Sequence, residues 1–71
     1  MQNRQIKSKL GNNIKKYRGK LSLTQVGLVK KSGVKYTTLS KIESGAIKTP
    51  SVQIVAKIAK ALGVLIEDLL K

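Results

Sequence analysis

The sequence predicts an all-α domain built from five short helices. Apolar residues recur at spacings of three and four through successive stretches, as one face of a helix requires. Glycines and hydroxyl residues punctuate those stretches where helices would start and stop. Nothing alternates with a period of two over a useful length, so no strand is expected. The 71 residues suffice for a single domain, 1–71, with its core at about 7–70. No repeat, low-complexity tract or linker divides it. A domain this small buries a low fraction of its surface and is marginal in stability.

The first element is expected from about Lys7, after a frayed end at Met1 to about Gln5. Leu10, Ile14, Tyr17 and Leu21 form its apolar stripe, with Lys7, Lys15, Lys16 and Lys20 on other faces. Gly11 costs this helix roughly 1 kcal/mol relative to Ala. It either admits a neighbouring helix or is a weak spot. Gly19 and Ser22 end the segment. Thr24 reads as the N-cap of a second helix, with Leu23 and Leu28 placed for a hydrophobic staple. Leu28 and Val29 face inward, Lys30 and Lys31 suit the last turn, and Gly33 closes it in the left-handed conformation. Val34 anchors the turn. The third helix is expected at about Tyr36 to Ser44. Leu39 and Ile42 bury together, and Tyr36, Thr37, Ser40, Lys41 and Ser44 lie on the opposite face. Gly45 caps it, and residues 46–48 make a loop. The fourth helix is read with Thr49 as N-cap and Pro50 at the first helical position. Val52, Val55, Ile58, Ala59 and Leu62 form its stripe, with Gln53, Lys57 and Lys60 outside, and Gly63 ends it. Residues 64–70 form a short last helix.

Charge narrows the function. Fifteen Lys and Arg face three acids, Glu43, Glu67 and Asp68, for a net +12. A small domain with that excess seeks a polyanion. A cationic peptide lying on a membrane would be one long helix with Trp or Phe on its apolar face. This chain has neither residue and several breaks. There is no Cys and no His, which excludes disulfides and argues against zinc sites. Glu67 and Asp68 are adjacent, so on a helix they diverge by about 100° and make no carboxylate pair. No enzyme activity, metal site, cofactor or small-molecule ligand is expected. No apolar run approaches the ~18 residues of a membrane span. The N-terminal MQNRQIKSKLGNN lacks the apolar core of a signal peptide. A cytoplasmic, nucleoid-associated location is expected.

From Gln25 onward the sequence resembles the phage-repressor (Xre/Cro-type) helix-turn-helix family. The matching pieces are LGNNIKKYR, LTQ, LVKKSGV, TTLSKIESG and TPSVQIVAKIAKALGV followed by EDLL, covering about Leu10 to Leu70. The spacing from Arg18 to Gln25, Glu43 and Pro50 matches too. The resemblance implies a five-helix, repressor-like fold whose third helix enters the major groove. It makes Tyr36, Thr37 and Lys41 base readers, flanked by Lys35, Thr38 and Ser40 near bases or phosphates. Lys can donate to guanine O6 and N7, and a Thr methyl can pack on a thymine methyl. Gln25 would bind a phosphate beside the capping Thr24, with Ser44 and Lys48 holding the backbone further along. Each has a plainer alternative: Gln25 and Lys41 as solvated residues, Tyr36 and Thr38 as packing groups. The resemblance also makes Arg18 and Glu43 a partly buried ion pair joining the first and third helices. Arg can meet a carboxylate with two parallel bonds, which Lys cannot. Val26-Gly27, Lys35 and Leu65 depart from the family, standing where polar helix formers and short caps are usual.

These readings predict a sequence-specific, double-stranded-DNA-binding transcriptional regulator, a repressor above all, that blocks polymerase at an operator. An antitoxin or restriction-modification controller of the same fold would look alike. A module using charge alone to bind RNA, or a protein adaptor, is the rival from another class. Ile54, Leu65, Ile66 and Leu69 exceed what one small core needs. They suggest a weak homodimer through the last helix and the fourth-helix loop.

Overall fold

The computed structural model describes the backbone of residues 2–71 and the side chains of residues 9–71. Met1 and the side chain of Lys7, both placed by the sequence reading, lie outside the described residues. Five helices and no strand form among those described: α1 Gln2–Lys20, α2 Gln25–Ser32, α3 Tyr36–Ser44, α4 Val52–Leu62 and α5 Ile66–Leu70. Helix α1 begins well before Lys7, taking in residues expected to fray. No helix described is long and apolar enough to cross a membrane.

One core holds the helices together. Ile14 of α1, Leu28 of α2, Leu39 and Ile42 of α3, Ile58 of α4 and Leu69 of α5 are all but fully buried in it. Helix α1 packs on α3 and α5, and α2 packs on α3 and α4. Gly11 resolves into a close approach. A Cβ placed there would sit 2.5 Å from the carbonyl oxygen of Ile42 and 2.8 Å from that of Glu43. The missing side chain thus lets α1 lie directly against the end of α3. Gly11, Lys15 and Arg18 are spaced four and three apart, so this one face of α1 looks across at α3.

The ends of α1 and α4 differ from expectation. Of the two residues read as ending α1, Gly19 lies within the helix and Ser22 stops it. Ser22 takes φ 56°, and the Leu23 and Ser22 N–H groups donate to the Arg18 and Gly19 carbonyls in a Schellman closure. Leu21 therefore falls in the turn and is 46% exposed, outside the apolar stripe. In α4 the N-cap is Ser51, whose hydroxyl accepts from the Ile54 N–H at 3.2 Å. Thr49 and Pro50 precede the helix. Two hydroxyl residues two positions apart were both eligible, and the later one reaches the free amide. Val52 is consequently the first helical residue and 73% exposed, while Val55, Ile58, Ala59, Ala61 and Leu62 are buried.

Helix α5 begins at Ile66 rather than Val64. Val64 packs against the core, and Leu65 takes the N-cap position with no side-chain bond of its own. Asp68 supplies the missing half, accepting from the Leu65 N–H at 3.0 Å. Of the four residues read as surplus to the core, Leu69 is fully buried and Ile54 packs against it. Leu65, Ile66 and Leu70 stay exposed.

Candidate nucleic-acid interface

The turn between α2 and α3 fixes how α3 is presented. Thr24 Oγ1 accepts from the Gly27 N–H at 3.0 Å and opens α2. The staple position holds Leu23, half-buried, and Leu28, fully buried. Gly33 closes α2 at φ 77°, a left-handed conformation that a Cβ would strain. Val34, 5% exposed, pins the turn into the core. Lys35 then precedes α3 in extended backbone and makes no capping hydrogen bond. Its ammonium cannot accept the orphan N–H that a Ser or Asp would take.

Helix α3 is two-faced. Leu39, Ile42 and Glu43 are buried, and Tyr36, Thr37, Lys41 and Ser44 are exposed, with Ser40 half-buried beside them. The outward face carries hydroxyls, one phenol and one ammonium, and no acid. Lys35 and Lys48 are also exposed, on either side of the helix in sequence. Thr38 is half-buried and lines a groove with Gly33, Val34, Lys35, Ile54 and Lys57, on the α4 side.

Glu43 is the centre of the anchoring. Arg18 Nε donates to its Oε2 at 3.0 Å, and Arg18 Nη2 to its Oε1 at 3.0 Å. The remaining guanidinium nitrogen, Nη1, donates to the Leu23 carbonyl at 3.0 Å, tying in the start of the α2 region. Gln25 Nε2 adds a bond to Glu43 Oε1 at 2.8 Å. The side chains are 19% exposed for Arg18 and 3% for Glu43. A single carboxylate thus joins α1, α2 and α3. The Gln25 amide points inward to Glu43, where the sequence reading had it turned to solvent and phosphate; among the described residues one N–H and the carbonyl oxygen of that amide have no partner.

The structure gathers Gln25, Ser40 and Ser44 into one cleft with Arg18, Glu43 and Lys15. Thr38 faces the other flank of α3. Lys48 lies elsewhere again, along a groove with Lys9, Thr49, Pro50, Val52, Ile66 and Leu70. The Ser44 hydroxyl is already engaged, donating to the Lys41 carbonyl at 3.1 Å. Two polar contacts escaped the sequence reading. The Gln25–Glu43 bond depends on a distance across the fold. Asn13 Nδ2 donates to the Leu69 carbonyl at 2.8 Å, holding the end of α5 against α1. Lys15, read from the sequence only as lying off the apolar stripe, also joins the cleft; the one local signal for it is its place three residues before Arg18 on one helical face.

A family profile described as helix-turn-helix matches residues 14–69, most of the chain. The chain belongs to this helix-turn-helix family, of the Xre/Cro type, whose members are DNA-binding regulators and not enzymes. A protein of Methanocaldococcus jannaschii, described as an uncharacterized HTH-type transcriptional regulator, is 47% identical over 58 residues. That match spans 82% of this chain and 86% of the relative. No solved structure matches the chain significantly.

Proposed function

We propose that this protein is a sequence-specific transcriptional repressor that reads operator DNA with α3 in the major groove. The observation that carries this reading is the division of α3. Leu39, Ile42 and Glu43 fix one side into the core, while Tyr36, Thr37 and Lys41 stand exposed on the other. A helix held rigidly by one face can present the other to base edges in a fixed register. Tyr36, Thr37 and Lys41 read bases, and Lys35, Thr38 and Ser40 flank them. Thr24, Gln25, Ser44 and Lys48 contact the backbone. The Arg18–Glu43 pair sets the angle of α3 against α1 and orients Gln25. The relative's description as a transcriptional regulator supports the same reading.

The repressor acts as a homodimer on a two-fold operator, since a single module this size gains both affinity and specificity by pairing. The exposed Leu65, Ile66 and Leu70 around α5, with Val52, support that surface. Leu69, absorbed in the core, and Ile54, half-buried against it, are withdrawn from that surface.

Selection of sites from random duplex DNA tests the reading. A motif should emerge, and Lys41→Ala should lose about 1–3 kcal/mol with relaxed preference at one base position. Equal weakening on every duplex, or equal binding to RNA of any sequence, would favour recognition by charge alone and overturn specific readout.

A further inference from the structure

Between α1 and α3 lies the cleft rimmed by Lys15, Gln25, Ser40 and Ser44 and floored by Arg18 and Glu43. An acid in such a place would ordinarily repel an anion. Here both Glu43 oxygens are occupied by two bonds from Arg18 and one from Gln25. The carboxylate is matched by the guanidinium, so the floor is close to neutral. Lys15 is then the uncompensated charge of the cleft. It is exposed, and it sits on the face of α1 that Gly11 brings against α3. Neutral donors line the rest: the Ser40 hydroxyl and the uncommitted N–H of the Gln25 amide, which Glu43 holds in place.

We propose that this cleft is a binding site for one phosphodiester of the duplex backbone, with Lys15 supplying the charge that holds it. The proposal rests on the reading of α3 as the groove helix. It adds α1 to the DNA-binding surface and gives the Arg18–Glu43–Gln25 cluster a second task. The cluster builds a neutral, rigid floor beneath the phosphate as well as joining helices. A phosphate clamped between α1 and α3 fixes how deeply α3 enters the groove. Contacts of this kind set register and affinity and carry no sequence information.

The test measures duplex affinity against sodium chloride concentration for the wild type, Lys15→Gln, Lys15→Arg and Lys60→Gln. Lys60 is exposed on α4 beside the α4–α5 cleft, away from the site, so its loss controls for net charge. Neutralising one phosphate contact should reduce the slope of log affinity on log salt by about 0.9. Lys15→Gln should show that reduction and weaken a selected operator and an unrelated duplex by the same factor. Lys15→Arg should keep the wild-type slope. The same slope for Lys15→Gln and Lys60→Gln would overturn the site while leaving α3 as the reader. A wild type that binds no duplex would remove both. Inorganic phosphate at constant ionic strength should not compete with DNA; competition that Lys15→Gln abolishes would make this a free-anion site and refute the assignment.

Discussion

A methyl group on Gly11 would meet the backbone carbonyls of Ile42 and Glu43, neither of which can swing aside as a side chain can. Gly11→Ala would gain roughly 1 kcal/mol of helix propensity. Forcing α1 off α3 costs about 3 kcal/mol or more, at the upper end for overpacking, so the loss wins. Urea unfolding should show net destabilisation, and an unchanged midpoint would contradict the close packing. The Arg18–Glu43 pair is asymmetric. Removing Arg18 strands a carboxylate that is 3% exposed, with only Gln25 left to satisfy it. Removing Glu43 strands a guanidinium that is 19% exposed and keeps its bond to the Leu23 carbonyl. Arg18→Ala should therefore cost more than Glu43→Ala, on the order of 3 kcal/mol. The double mutant should recover part of the loss; strictly additive effects in a double-mutant cycle would deny the coupling.

At the scale of elements, helix ends hold the most local information. Ser51→Ala should destabilise the domain by about 1 kcal/mol, whereas Thr49→Ala should change stability little. Thermal melts of the two variants decide between the caps, and the reverse order would return α4 to a start at Pro50. Helix α5 leans on Asp68. The Leu65 N–H that it accepts, chiefly, and Lys71 beside it hold its carboxyl below the ordinary value of 3.8. With the folded value below the unfolded one, the unfolded chain binds more protons across the window between them. This contribution is present above about pH 4. It is lost as pH falls through the folded value. Asp68→Asn should lose that part of the acid dependence, followed by unfolding between pH 2 and pH 6 (the range is about that of carboxylate titration). An unchanged acid limb would remove Asp68 as its source.

For the whole molecule, charge and apolar surface pull in different directions. A net charge of +12 makes copies repel one another, and a bound polyanion would relieve that repulsion. The apolar surface around α5 favours pairing. Sedimentation with operator DNA should show two copies per site, and free protein should gain mass only weakly with concentration. Leu70→Asp, on an exposed side chain, should abolish the pairing without unfolding the domain. One copy per site at saturation would sink the homodimer.

The sequence by itself determined the helices, their order and the two-faced character of α3. It did so because helical periodicity, glycine closures and hydroxyl caps act within a few residues of one another. The bounds of α3 and the left-handed closures at Gly33, Gly45 and Gly63 were readable for that reason. The family resemblance placed Arg18 opposite Glu43, and the spacing alone would not have. Choices between near-equal local signals were not readable: Ser51 over Thr49, Ser22 over Gly19, Leu69 inward and Leu65 outward. Each turns on a fraction of a helical turn, which packing fixes and propensity does not. Only the tertiary structure decided that Gln25 bonds to Glu43 and that Lys15 shares its cleft. Those residues come from three helices, and the contact of α1 with α3 at Gly11 is what brings them within reach.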